Sequence, residues 1–345
     1  MDIKTLKIIT IAETAALFIC IVGGVILISR KGAAVPASTE VTDDEEVRVK
    51  PVLEKEEVFY QYDGRKILTE DYVYGQTFIP VYADVPVNEL DPDGFVNKRG
   101  RMTYSENGSA SAIAGVDISG FQGYVDWEAV KNAGYDFAMI RVGFRTYGGG
   151  ELHLDDMFET NIQGAQAAGL DVGVYFYSQA ISTEEANEEA DIVLDAISGY
   201  DITYPVVFDW EVVTTDSART DDVSVETLAD MCVSFCERVK AEGYTPMVYQ
   251  NRVTAMKKLD LPRIKDYDFW LAEYDDCPTY YYGFSMWQYA NDADVPGIED
   301  KADVNLCFVD YANGGKSLFA GSTPETSEAA DDTSGNEETE ETEEE

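Results

Sequence analysis

Histidine is almost absent: His153 is the only one in 345 residues. That leaves no cluster for a zinc hydrolase, and a Ser/His/Asp triad would depend on one loop residue that reads as solvated. Cysteine is sparse as well, with five in the chain and none in a CxxC metal or redox spacing. Cys20 sits in an apolar run, Cys232 and Cys236 lie one helical turn apart and read as small core hydrophobes, and Cys277 could meet Cys307 only if the fold brings them together; no disulfide is assigned. Positive charge is scarce: 25 Lys and Arg stand against 66 Asp and Glu, a formal net charge of −41. Nucleic acid and anionic membrane surfaces are therefore excluded as partners, since both would be repelled over the whole molecule. Carboxylates are the expected catalysts, with no metal or organic cofactor.

What is present divides the chain into five stretches. From Ile8 to Ser29 the residues are nearly all apolar, interrupted by Glu13, and as a helix they would span roughly 33 Å, enough to cross a bilayer core. Arg30 and Lys31 close the run, so residues 1–31 are expected to be an uncleaved, single-pass anchor with the remainder outside the cell. The rival is a cleaved signal peptide processed near Ala33–Ala37, which would release a secreted protein. Residues 32–50 mix Pro, Ser, Thr and acids without periodicity and read as a linker. Residues 51–112 are rich in aromatics among Gly, Pro and Asp turn signals and read as short strands or a strap. Residues 113–315 carry the main domain, and 316–345 form an acidic tail with too little apolar content to fold.

Within the main domain, strand-like runs begin near Gly115, Phe137, Val172, Val206, Pro246, Phe269, Ser285 and Val304. Helical stretches separate the early ones, each closing before a glycine: Gly134, Gly169, Gly199 and Gly243. The fourth is clearest, because Val225, Leu228, Cys232, Phe235 and Val239 step by three and four behind a Ser224 cap. Strand and helix in alternation predict α/β class, an eight-stranded TIM-like β/α barrel, with degenerate helices after Tyr249. The run from Tyr204 to Glu211 is uninterrupted apolar sequence ending in Asp209, Trp210 and Glu211, as expected of a buried strand that delivers two acids at its end. Two residues apart on a strand, Asp209 and Glu211 share a side at a spacing of roughly 7 Å.

Functional residues of such a barrel gather at the C-terminal strand ends. Asp117 ends the first strand, and Asp303 opens the last, which in a closed barrel lies beside the first. Tyr175 and Tyr177 share one strand face, as do Trp270 and Tyr274, so aromatic surfaces are expected to rim the acids and receive sugar rings. With these strings in order, GVDISGFQGYVDW, FAMIRVGFR, GVYFYSQA, PVVFDWE, MVYQN, FWLAEY, MWQY and ADVNL, the chain resembles glycoside hydrolase family 25, lysozymes that act as N-acetylmuramidases on peptidoglycan. The resemblance covers about Gly115 to Tyr311 and implies Asp117, Asp209, Glu211 and Asp303 as the acidic cluster, with Glu211 the proton donor. Arg141, Tyr249 and Gln288, in the same strings, complete the expected substrate contacts. The family's third strand often has His where this chain has Phe176. The implied partner is the glycan strand, bound by a monomer.

The residues leave the mechanism open. A spacing of about 7 Å exceeds the roughly 5 to 5.5 Å of a direct retaining pair and falls in the inverting range, while a 2-acetamido sugar offers a third route in which its own acetamide attacks. In that route Asp209 orients the acetamide and Glu211, its pKa raised by neighbouring negative charge, protonates the leaving oxygen. A non-catalytic, membrane-tethered wall-binding module and an amidase or peptidase are the alternatives; the latter would need metal or Cys/His chemistry that one histidine scarcely supplies.

Overall fold

A computed structural model of the chain describes residues 59–62, 64–71 and 75–319. The expected membrane segment, the linker and nearly all of the acidic tail lie outside these; among the described residues no helix is long and apolar enough to cross a membrane.

Eight strands close into a barrel: β1 (Ile113–Ile118), β2 (Phe137–Arg145), β3 (Asp171–Ser178), β4 (Val206–Trp210), β5 (Pro246–Asn251), β6 (Asp268–Ala272), β7 (Met286–Ala293) and β8 (Ala302–Cys307). Neighbours from β1 to β7 pair in parallel, whereas β8 runs antiparallel to both β7 and β1. This reversal has a functional effect. In a parallel β8, the first residues of the strand would lie at the closed end of the barrel; reversed, they lie at the open end, and Asp303 stands in register with Asp117.

Helices α1 (Trp127–Asn132), α2 (Phe158–Ala167), α3 (Thr183–Ile197) and α4 (Val225–Ala241) cover the first four strands. Ser224 caps α4 by accepting from the Thr227 amide, and Gly243 follows its end at a φ of 88°, a left-handed turn that a side chain would strain. Two short helices follow β5, α5 (Arg252–Lys258) and α6 (Leu261–Ile264), and no helix is described between β6 and β8.

Alternation along each strand makes two cores. Met139, Val207, Met247, Trp270 and Met286 fill the barrel interior, while Ile140, Val174, Phe208 and Val248 face outward and pack with the helices, as where Phe208 and Phe235 rings lie 5.0 Å apart. Where helices are missing, the preceding chain does the covering. The hairpin of Phe95–Lys98 and Arg101–Glu106 lays Phe95 edge-on against Trp287 at 5.2 Å and Tyr104 against Phe308 at 5.6 Å, and the Arg101 guanidinium donates to the carbonyls of Ala133 and Gly134.

Candidate active site

Asp117, Asp209, Glu211 and Asp303 converge at the open end of the barrel. Asp117 is buried at the end of β1, and its Oδ2 accepts from Asn305 Nδ2 at 2.7 Å and Gln288 Nε2 at 3.0 Å. Gln288 is held in turn by the Tyr249 and Tyr274 hydroxyls, each donating to its Oε1 at 3.0 Å, and Asn305 accepts from the Trp270 indole at 2.9 Å. Burial pushes Asp117 up to about 6 against the pull of these donors and of a hydrogen bond with Asp303. Asp303 is raised well above the usual carboxylate range by burial, then by the charge of Asp117 and the bond to it.

The second pair lies at the end of β4. Asp209 and Glu211 share a side-chain hydrogen bond, so their carboxyls meet instead of standing about 7 Å apart as strand geometry suggested. The strand rise fixes only the backbone, and β4 ends at Trp210, so Glu211 lies just beyond the regular strand. Asp209 is raised well above its ordinary value by burial, then by the charges of Glu211 and Asp117, with Arg141 opposing. Glu211 is pushed up to about 7, first by burial and second by Asp117, with the bond to Asp209 pulling the other way. Desolvation thus outweighs the neighbouring charge that sequence reasoning held responsible. Oδ1 of Asp209 is buried and receives no hydrogen bond from any described N–H or hydroxyl.

The expected aromatic contacts fall into two groups. Tyr274, 52% exposed, and half-buried Tyr175 and Tyr177 reach the opening. Trp270, 2% exposed, and buried Tyr249 and Gln288 lie beneath it, where they orient Asp117 instead of offering a face to a sugar. Burial raises the hydroxyl pKa of Tyr175, Tyr177, Tyr249 and Tyr274 well above the usual value, keeping them neutral donors. Arg141 is half-buried, its Nε 2.8 Å from Asp155 Oδ2 and its guanidinium over the Phe121 ring. Asp155, which sequence reasoning missed, also accepts from the amides of Gly120 and Met157 and so ties the loop after β1 to Arg141. Asn305 was missed too; its position two residues after Asp303 on the same strand face was the available signal. His153 is exposed and stacks on Phe144, whose ring also lies against the Arg141 guanidinium. Among the described residues no group of three or more His, Cys, Asp or Glu side chains could hold a metal ion.

Four carboxyls held above the usual range chiefly by burial, at the open end of a β/α barrel, form a site suited to acid-catalysed hydrolysis of the kind that cleaves glycosidic bonds. Residues 116–298 match glycosyl hydrolases family 25, and the chain belongs to that family; its barrel is a glycoside hydrolase domain. It is 29% identical over 197 residues to the autolytic lysozyme of Clostridium acetobutylicum, covering 56% of this chain and 55% of that one. To lysozyme M1 of Streptomyces globisporus it is 27% identical, covering 56% and 67%. The alignment to the Clostridium protein thus spans about half of that relative. The modular autolysin LytC from Streptococcus pneumoniae shares the fold with a TM-score of 0.50 at 23% identity, over 72% of this chain and 57% of that one.

Proposed function

We propose that the protein is a peptidoglycan hydrolase that cleaves the β-1,4 bond between N-acetylmuramic acid and N-acetylglucosamine. The observation that carries the reading is the convergence of four carboxyls at the open end of the barrel, Asp209 hydrogen-bonded with Glu211 and Asp117 with Asp303, with Glu211 pushed up to about 7 by burial. A carboxyl with its pKa near 7 carries a proton at working pH and gives it up readily, which suits Glu211 to protonating the leaving oxygen. Asp209, at the end of β4 beside Glu211, holds the N–H of the substrate's acetamide and stabilises the positive charge that develops as the acetamide oxygen attacks the anomeric carbon. Carboxyls in contact leave no room for a water between Asp209 and Glu211, which favours substrate assistance over a direct inverting route with Asp209 as base and leaves Asp117 as the base such a route would need. Asp117, Asp303 and their donors Asn305 and Gln288 supply a fixed polar wall that needs no reorganisation as charge develops. Tyr175, Tyr177 and Tyr274 line the glycan path, and Arg141 tunes Asp209 from the side.

The test is release of reducing ends from purified peptidoglycan, with mass spectrometry of the fragments. Glu211→Gln should abolish release while glycan binding survives. Wild-type release by that variant would remove Glu211 from the role of acid, and binding without turnover by the native protein would favour the wall-binding alternative. The apolar run from Ile8 to Ser29 supports a protein tethered at the outer face of the cell membrane. N-terminal sequencing of native protein should then begin at residue 1 or 2; a start near Ala34 or Ser38 would mean a cleaved, secreted enzyme.

A further inference from the structure

Strand β4 ends one residue before Glu211, so the sheet itself does not hold the backbone of the proposed acid. In the ladders on either side, Ser178 of β3 stands opposite Trp210, and Tyr249 of β5 opposite Asp209. The next residue on each neighbour is a glutamine, Gln179 and Gln250, 0% and 1% exposed. Each turns its side-chain amide onto β4 where the ladder stops. Gln179 Nε2 donates to the Glu211 carbonyl at 2.7 Å, and Gln250 Nε2 donates to the Trp210 carbonyl at 2.6 Å.

We propose that Gln179 and Gln250 are a pair of positioning residues that extend the hydrogen-bond ladder beyond the end of β4 and thereby fix the Glu211 carboxyl against Asp209. The two side chains replace, from opposite sides, the backbone donors that the sheet no longer provides. Both are themselves locked. Gln250 Oε1 accepts from the amide and the side chain of Asn251, each at 2.9 Å, while Gln179 Nε2 also donates to the Ser178 carbonyl and its Oε1 accepts from the buried Thr220 hydroxyl at 3.1 Å.

Gln179 further couples Glu211 to the loop that follows it. The Gln179 carbonyl accepts from Arg219 Nη1 at 3.0 Å, and the Arg219 guanidinium grips both carboxylate oxygens of Glu185 at 2.7 and 2.6 Å near the start of α3. The segment 212–224 is thus anchored through Arg219 and Thr220 to the same glutamine that holds Glu211. A buried amide with this many partners tolerates few orientations, and its geometry is transmitted to the carbonyl it binds. Displacement of the acid by about 1 Å is enough to lower turnover on the order of a hundredfold.

The inference rests on Glu211 being the acid, and two readouts separate the failure of one from the failure of the other. Gln179→Met and Gln250→Met, made in the full chain, keep the volume and remove the donors. Each variant is compared with wild type for kcat and KM on solubilised glycan. The titration midpoint of Glu211 is read from ¹³C carboxyl shifts, assigned by difference from Glu211→Gln in the same background. The expected result is a kcat lowered about 10- to 100-fold with KM changed by less than about twofold, and a Glu211 midpoint that falls by about one pH unit from its value near 7 as water reaches the loosened carboxyl. A merely structural role would lower the melting temperature and leave the midpoint and the alkaline limb of the activity profile in place. Unchanged kcat and midpoint in both variants would overturn the inference. If the wild type releases no reducing ends, the functional reading fails and the midpoint alone judges the positioning role. Should Gln179→Met not fold, Gln250→Met, which leaves the Arg219 and Thr220 anchors intact, carries the test.

Discussion

Replacing Glu211 by glutamine should stabilise the protein above neutral pH while removing its activity, and the size of that gain follows from the site. Glu211 is raised from 4.5 to about 7, chiefly by burial, so its ionised form is less stable in the folded chain than in the unfolded one. At about 1.4 kcal/mol per pH unit, that difference amounts to about 3 kcal/mol once the group is fully ionised. Glutamine keeps part of the desolvation cost, and Glu211 ionises against the charge of neighbouring acids, so about 1 to 2 kcal/mol is expected, on the order of 3 to 6 °C for a domain of this size. The sign is set by the direction of the shift. Below pH 4.5 the carboxyl is protonated in both states and its contribution is fully present; as pH rises toward and through 7 the contribution is lost, and the variant, which cannot ionise, gains relative to wild type. The assay is thermal unfolding of wild type and Glu211→Gln at pH 5 and pH 8 at fixed ionic strength. The stability gap should open between those values and level off above about pH 8, and wild-type turnover should fall on its alkaline limb near pH 7. A variant that gains nothing over wild type between pH 5 and pH 8 would refute the burial argument.

Asp209→Asn should lower kcat on the order of 10² to 10³ with a smaller effect on binding, because an amide supports developing positive charge poorly. NMR of the anomeric proton in early turnover should show the β-product, the outcome of two inversions; an initial α-anomer would eliminate substrate assistance. Met102→Ala, in the hairpin that covers β7 and β8, removes a side chain only 1% exposed and should cost about 2 to 5 kcal/mol. Denaturant unfolding with little change in midpoint would mean that the barrel closes without this hairpin.

Glu211 shows how far the sequence reached. Its identity as the terminal acid of an apolar strand was legible because a parallel strand buried on both faces must be apolar until it meets the site. Its relation to Asp209 was not, because backbone rise constrains Cα positions while the rotamers that bring two carboxyls together depend on what surrounds them. The first four helices, with Ser224 capping α4 and glycines just beyond their ends, were written locally in the same way. Asp303 was placed beside Asp117 from barrel closure alone, yet what puts its carboxyl at the open end is the antiparallel course of β8, a feature no local pattern encodes. Asn305, Asp155, Gln179 and Gln250 hold Asp117, Arg141 and the end of β4, and their partners lie far from them in the chain. Only the tertiary structure decides that they are buried and which carbonyl or carboxylate each must satisfy, because an interior polar group takes its role from neighbours distant in the chain.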